Sequence, residues 1–258
     1  MLELFQGLAN QSLASAEFAD PYLMSHPMPL DRIRNLEGLA KASPNYDKPD
    51  PPLLVLRHKL MQAKIIGFVE SPQAVYQKYP PSDISLPARY ARAIAAFRIG
   101  DLKNAMPVID GLIAEIPENP YFWELKGQAL LEGGQAAKAV APLREAVKRL
   151  PTNGLIRMLL AQAQLGVEGN ASATAALESL RLAQRSEDES PRLHMLMAQA
   201  YGRLNNLARA ELATAEMAVR RGDRELASQK ATTAVKGLKA NTPEWLRAQD
   251  ILNYTKKD

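Results

Sequence analysis

The sequence predicts an all-α chain built as a solenoid of stacked helix pairs, and three observations carry that prediction. Two stretches superimpose at a shift of 34 residues, which pairs Gly100 with Gly134, Ala105 with Ala139 and Pro117 with Pro151. A fixed period of that size marks a helix-turn-helix unit that buries its apolar face only by stacking on its neighbours. Apolar residues recur at helical spacing between regularly placed glycines, asparagines and prolines. With 47% hydrophobic content over 258 residues, the chain can bury a core of ordinary size, drawn out long and thin by the stacking.

The elements are taken in chain order. Residues 1 to 20 read as an amphipathic helix with Leu2, Phe5, Leu8 and Leu13 on one stripe, stopped at Asp20-Pro21. A second short helix, Asp31 to Ala40, carries Leu30, Ile33, Leu36 and Leu39 behind Pro27 and Pro29. Residues 43 to 52 hold four prolines and no apolar period, so they read as a linker between residues 1 to 42 and the rest of the chain. A lead-in spans 53 to 85: a helix to Val69, then Ser71-Pro72 opening a short helix that Tyr79-Pro80-Pro81 ends. Four repeats are expected at 86–119, 120–153, 154–190 and 191–222, and capping helices at 223–258. The turn at Gly166 to Asn170 reads as about three residues too long, and Ala198 accordingly lies 37 residues after Ala161.

The second repeat is the clearest, with Trp123, Gly127, Gly134, Ala139, Ala146 and Pro151 at its landmark positions. Small residues stand there because helix axes about 8 to 10 Å apart leave no room for larger ones. This pattern resembles the tetratricopeptide repeat (TPR), which implies a right-handed α-solenoid whose function is to bind proteins on a concave face. That face is lined by the first helix of each pair. Taking each repeat from its own start gives an inward row of Ile94, Gln128, Gln162 and Gln199, and a neighbouring row of Tyr90, Glu124, Met158 and Met195. Tyr121, Phe97 and Arg203 lie nearby. Such a lining can pair with a peptide's amides and bury its apolar side chains. Glutamine is equally a good helix former on an exposed face, and both readings stand at this point. The rows lack the lysine and asparagine set of chaperone-tail receptors, so that partner class is excluded.

Composition narrows the chemistry. Zero cysteines exclude disulfides, thiol nucleophiles and thiolate metal sites. The apolar run Leu53 to Leu56 is far too short to cross a bilayer, and no secretory leader opens the sequence. The net charge is only +4, acidic over residues 1 to 50 and mildly basic beyond. Arg220, Arg221, Arg224, Lys230, Lys236 and Lys239 form the most basic segment, but acids interrupt it and it has no aromatics, so it reads as a solvated face rather than a nucleic-acid site. The histidines are His26, His58 and His194, and no His-Glu-x-x-His pair occurs. His58 reads as a surface residue, and His194 takes the large-residue packing position that Trp123 holds in the second repeat. No phosphate loop, dinucleotide fingerprint or nucleophile elbow is present, so the chain reads as a binding protein and not an enzyme, with no cofactor of its own.

The segment Asp20-Pro21-Tyr22-Leu23-Met24-Ser25-His26-Pro27-Met28-Pro29-Leu30-Asp31-Arg32-Ile33 resembles the His-Pro region that ends the catalytic domain of bacterial BepA-like and HtpX-like zinc metallopeptidases. The downstream part, including Asn119-Pro120-Tyr121-Phe122-Trp123-Glu124-Leu125-Lys126-Gly127-Gln128, is similar to the TPR arm of the same proteins. The resemblance implies a full-length periplasmic zinc metalloendopeptidase whose catalytic part precedes residue 1. In it His26 would occupy the open position of the zinc and Arg32 would hold its segment to the catalytic domain. Residues 1 to 42 then become a remnant of that domain, expected to pack on the array, to self-associate into a homo-oligomer or to be mobile. The partners implied are client proteins in the groove and the catalytic domain, with no nucleic acid and no membrane span. The other reading is a free-standing TPR adaptor.

Overall fold

The structure is a computed structural model that describes residues 29–256, and among these it holds thirteen α-helices and no strand. The helix expected over residues 1 to 20, and His26, lie outside the described residues. The chain divides into two compact units, Met1–Arg57 and His58–Asp258. In the first, α1 (Pro29–Lys41) contains Arg32 and ends on a Glu37–Lys41 ion pair one turn apart at 2.7 Å. Residues 42 to 47 then turn repeatedly, closed by the Ala42 N–H on Gly38 and the Tyr46 N–H on Ser43. Helix α2 (Pro52–Val69) runs from this unit into the second.

The second unit continues with α3 (Pro72–Lys78), α4 (Leu86–Arg98), α5 (Leu102–Glu115), α6 (Pro120–Glu132), α7 (Ala136–Arg149), α8 (Gly154–Leu165) and α9 (Asn170–Glu187). It ends with α10 (Pro191–Arg203), α11 (Leu207–Arg220), α12 (Arg224–Gly237) and α13 (Pro243–Thr255). Local chemistry sets the starts. Ser71, Ser85, Asp101, Asn119, Asn153, Asn206, Asp223 and Thr242 each accept a first-turn N–H, and a proline follows the cap in α3, α4, α6 and α13. The turn from α4 to α5 puts Gly100 at φ +80°, with its N–H on Phe97 and the Asp101 N–H on Ala96. Gly134 repeats that closure after α6, and Asn205 repeats it after α10 at φ +55°.

Helices α4 and α5, α6 and α7, α8 and α9, and α10 and α11 pack as hairpins, and each hairpin stacks on the next. The first helices stack too, α6 on α8 and α8 on α10. Alanine dominates the interior, and its short side chain lets the axes close up with little rotamer entropy lost. One of the tightest approaches is Gly127 of α6, where a Cβ would stand 2.3 Å from Leu143 Cγ of α7. The long period near Gly166 arises mostly in a helix rather than in the turn as the sequence suggested. Helix α9 runs 18 residues where α5 and α7 run 14.

One turn breaks the alternation. After α11, Gly222 at φ +75° bonds to Val219 and Asp223 to Ala218, the same closure that joins the two helices of a hairpin. It comes 17 residues after Asn205, half the spacing of Gly100 and Gly134. Helices α11, α12 and α13 then pack mutually around Leu212, Ala215, Ala231, Ala248 and Ile251.

Candidate functional site

The inner row starts under the chain's own helix. Gly67 of α2 crosses Ile94 of α4 so closely that a Cβ there would meet Ile94 Cβ at 2.9 Å and the Ala91 carbonyl at 3.1 Å. Phe68 stacks edge-on against Phe97 at 6.1 Å, and Arg98 donates to the carbonyls of Gly67 (3.0 Å) and Glu70 (2.7 Å), capping the end of α2. Further back, Lys64 pairs with Glu124 of α6 at 2.6 Å and lies 4.7 Å from the ring centre of Tyr121. Tyr90, Ile94 and Phe97, expected to line an open groove, are buried, and α2 packs directly on Ile94 and Phe97. Sequence pattern set their positions on α4 but carried no signal for a helix lying across them.

Tyr90 lies one turn before Ile94 on α4. Its ring meets Phe122 edge-on at 5.1 Å and is 2% exposed, yet among the described residues its hydroxyl has no hydrogen-bond partner. Leaving such a group dry costs about 1 to 3 kcal/mol. Burial, with the nearby Glu124 carboxylate and Tyr121 phenol adding to it, pushes the phenol well above its ordinary pKa, so it stays a neutral donor.

Beyond α2 the inner row is open. Gln128 is half-buried and donates to Glu132 at 2.8 Å, Gln162 is half-buried and accepts from Arg192, and Gln199 is exposed. Met195 is half-buried, while Arg203 is exposed and donates to the Val167 carbonyl at 3.1 Å. Met158, expected in the same lining, is instead buried in the core cluster of α8 to α11 that also holds Leu193, Leu196 and Ala200. Leu155, which the pattern did not single out, is 61% exposed one turn before it on α8.

A second constellation lies at the C-terminal end. His194 is fully buried, and its Nδ1 stands 3.0 Å from the Glu216 carboxylate while its Nε2 stands 2.7 Å from the Asp188 carbonyl. Each ring nitrogen thus has an oxygen within hydrogen-bond reach. Arg247 of α13 pairs with the same Glu216, and Arg220 holds the Asp188 carboxylate at 3.0 Å. Burial raises the Asp188 pKa, but the Gln184 hydrogen bond and the charges of Arg220, Arg247 and His194 outweigh it and hold the carboxyl below its usual range. The network thus ties α9, α10, α11 and α13 together. The packing role expected of His194 is correct but incomplete. Part of the basic stretch read as a solvated face is also spent internally: Arg220 is in this network, Lys230 pairs with Glu211 at 3.0 Å, and Arg224 stacks on Tyr254.

A cleft of about 240 Å³ opens beside this network, lined by Val219, Arg247, Asp250, Ile251 and Tyr254 among others. Among the described residues no group of three or more His, Asp or Glu side chains is placed to hold a metal ion, and no helix is long and apolar enough to cross a membrane.

Residues 90–154 match the tetratricopeptide repeat family model. Among solved structures, a point mutant of MamA is similar at 15% identity over 65% of this chain and 96% of that one, with a TM-score of 0.51. MamA 41-end from Desulfovibrio magneticus RS-1 shares 18% identity over 76% of this chain and 97% of that one, at a TM-score of 0.46. TTC0263, a thermophilic TPR protein of Thermus thermophilus, shares 17% identity over 66% of this chain and all of that one, at 0.42. No curated protein matches the chain. The repeat match and the likeness to the MamA mutant together show the fold: an all-α solenoid of the tetratricopeptide type.

Proposed function

We propose that the chain is a protein-binding scaffold that holds a partner segment on the open inner face of α6, α8 and α10. One observation carries this reading. Glutamines recur at one position of three successive first helices, with Gln128 and Gln162 half-buried and Gln199 exposed, and Met195, Leu155 and Arg203 lie on the same helices, whereas Ile94, the equivalent on α4, is covered. Amides at that spacing suit a peptide backbone, and the methionine and leucine suit its apolar side chains.

The test is site-specific photocrosslinking in the native host. A photoreactive residue in place of Gln162 or Gln199 is expected to capture discrete protein partners, and the same residue in place of the exposed Lys148 on α7 is not. Equal labelling from both faces would remove the inner face from consideration. Replacing Gln128, Gln162 and Met195 together by alanine is expected to abolish capture from Gln199 with helicity unchanged by circular dichroism.

The finer reading is that this scaffold is the arm of a periplasmic zinc metallopeptidase acting in envelope protein assembly or quality control. Its support is the resemblance of the His26-Pro27 segment with Arg32, and of residues 119 to 128, to BepA-like proteins. Zinc would belong to the catalytic part of that parent, and the catalytic domain would itself be a partner. An in-frame His-Glu-x-x-His upstream of Met1 supports this arm, and its absence supports a free-standing adaptor.

A further inference from the structure

We infer that the inner face of α4 and α6 is a receptor for a helix of defined chemistry, and that α2 is its resident but displaceable occupant. The chemistry is read from how α2 sits. Small residues four apart, Ala63 and Gly67, form the contacting edge, and Gly67 is where the two backbones nearly touch. Lys64, next to the first of them, is met from below by both a carboxylate and an aromatic face, those of Glu124 and Tyr121. The C-terminal carbonyls of the bound helix end under the Arg98 guanidinium. The partner is therefore a helix with two small residues four apart, a lysine beside the first, and a C-terminal end within reach of Arg98.

Two features mark α2 as displaceable. Only Leu60, Ala63 and Gly67 of this 18-residue helix are buried, whereas α4 beneath it buries nine residues of thirteen. Its outer side shows Met61, Ile65 and Val69, each more than half exposed, so solvent already surrounds much of it. Resident and incoming helix compete for one surface, so occupancy is set by their relative affinities.

This inference extends the protein-binding reading to a neighbouring stretch, and its test is separate because Gln162 and Gln199 lie outside the contacts of α2. The probe is a fluorescent peptide of residues 58–70, titrated against the full chain by anisotropy. Wild type is expected to bind it weakly. Gly67→Leu, which drives the resident helix off the Ala91 carbonyl and Ile94, is expected to bind at least tenfold tighter, and Lys64→Glu, which repels Glu124, to shift the same way. Adding Glu124→Lys to either variant should remove the gain. If Gly67→Leu does not fold, Lys64→Glu reports alone. Peptide affinity no greater than wild type in a folded variant overturns the inference.

Discussion

Replacing His194 by alanine is expected to loosen the C-terminal end of the array and to lower its melting temperature by about 10 °C. The imidazole is fully buried between a carboxylate that is itself 7% exposed and the Asp188 carbonyl. Removing it leaves both oxygens without that partner and opens a void the size of the ring. Losing a buried hydrogen-bonding side chain and opening such a void cost about 3 to 5 kcal/mol, and each kcal/mol is worth about 2 to 4 °C in a unit of this size. Because each hairpin leans mainly on its neighbours, the damage should be local. Hydrogen exchange is expected to accelerate in α10 to α13 and to stay at the wild-type rate in α4 to α7. Substituting the exposed His58 in the same way should change neither reading. Uniform acceleration along the whole array would refute the local character of this network.

The second large effect is expected where α6 and α7 cross. Gly127→Ala places a methyl group where Leu143 already stands, and Leu143 has no exposed side to retreat to. Alanine is favoured over glycine in a helix by about 1 kcal/mol, but overpacking costs about 1 to 3 kcal/mol, so the substitution is expected to destabilise. Leu143→Ala alone should cost about 2 to 5 kcal/mol through the cavity it leaves. Combined, the new methyl occupies part of that cavity. Urea titrations of the two single variants and the pair should show the double variant at least about 1 kcal/mol more stable than the sum predicts. Simple additivity would mean that the two positions do not meet.

Much of the fold was legible because it rests on residues that leave marks one by one. A left-handed turn favours glycine, so Gly100 and Gly134 announce two hairpins 34 residues apart, and Asn205 stands in for glycine at the corresponding turn. Caps such as Asn119 before Pro120 announce the helix starts in the same way. The candidate site was legible only in part. Periodicity placed Tyr90, Ile94 and Phe97 on the inner side of α4, but which segment covers a face depends on contacts between distant stretches. Nothing local in the sequence of α2 distinguishes a helix stacked in series from one laid across the row. Met158 was misplaced because one side of a helix edge faces the groove and the other the core, and a difference of a few tens of degrees decides between them. The His194 network was invisible for a related reason. Apart from His194, its members at 188, 216, 220 and 247 each look like ordinary surface charges until four helices bring them together.

The closely spaced turn at Gly222 sets a limit on how this architecture could have grown. Tandem copying of a 34-residue block upstream of it lands each new helix in phase with the last, so the array can lengthen there by gene duplication. At Gly222 that phase is lost, and α11, α12 and α13 close on one another instead of continuing the alternation of hairpins.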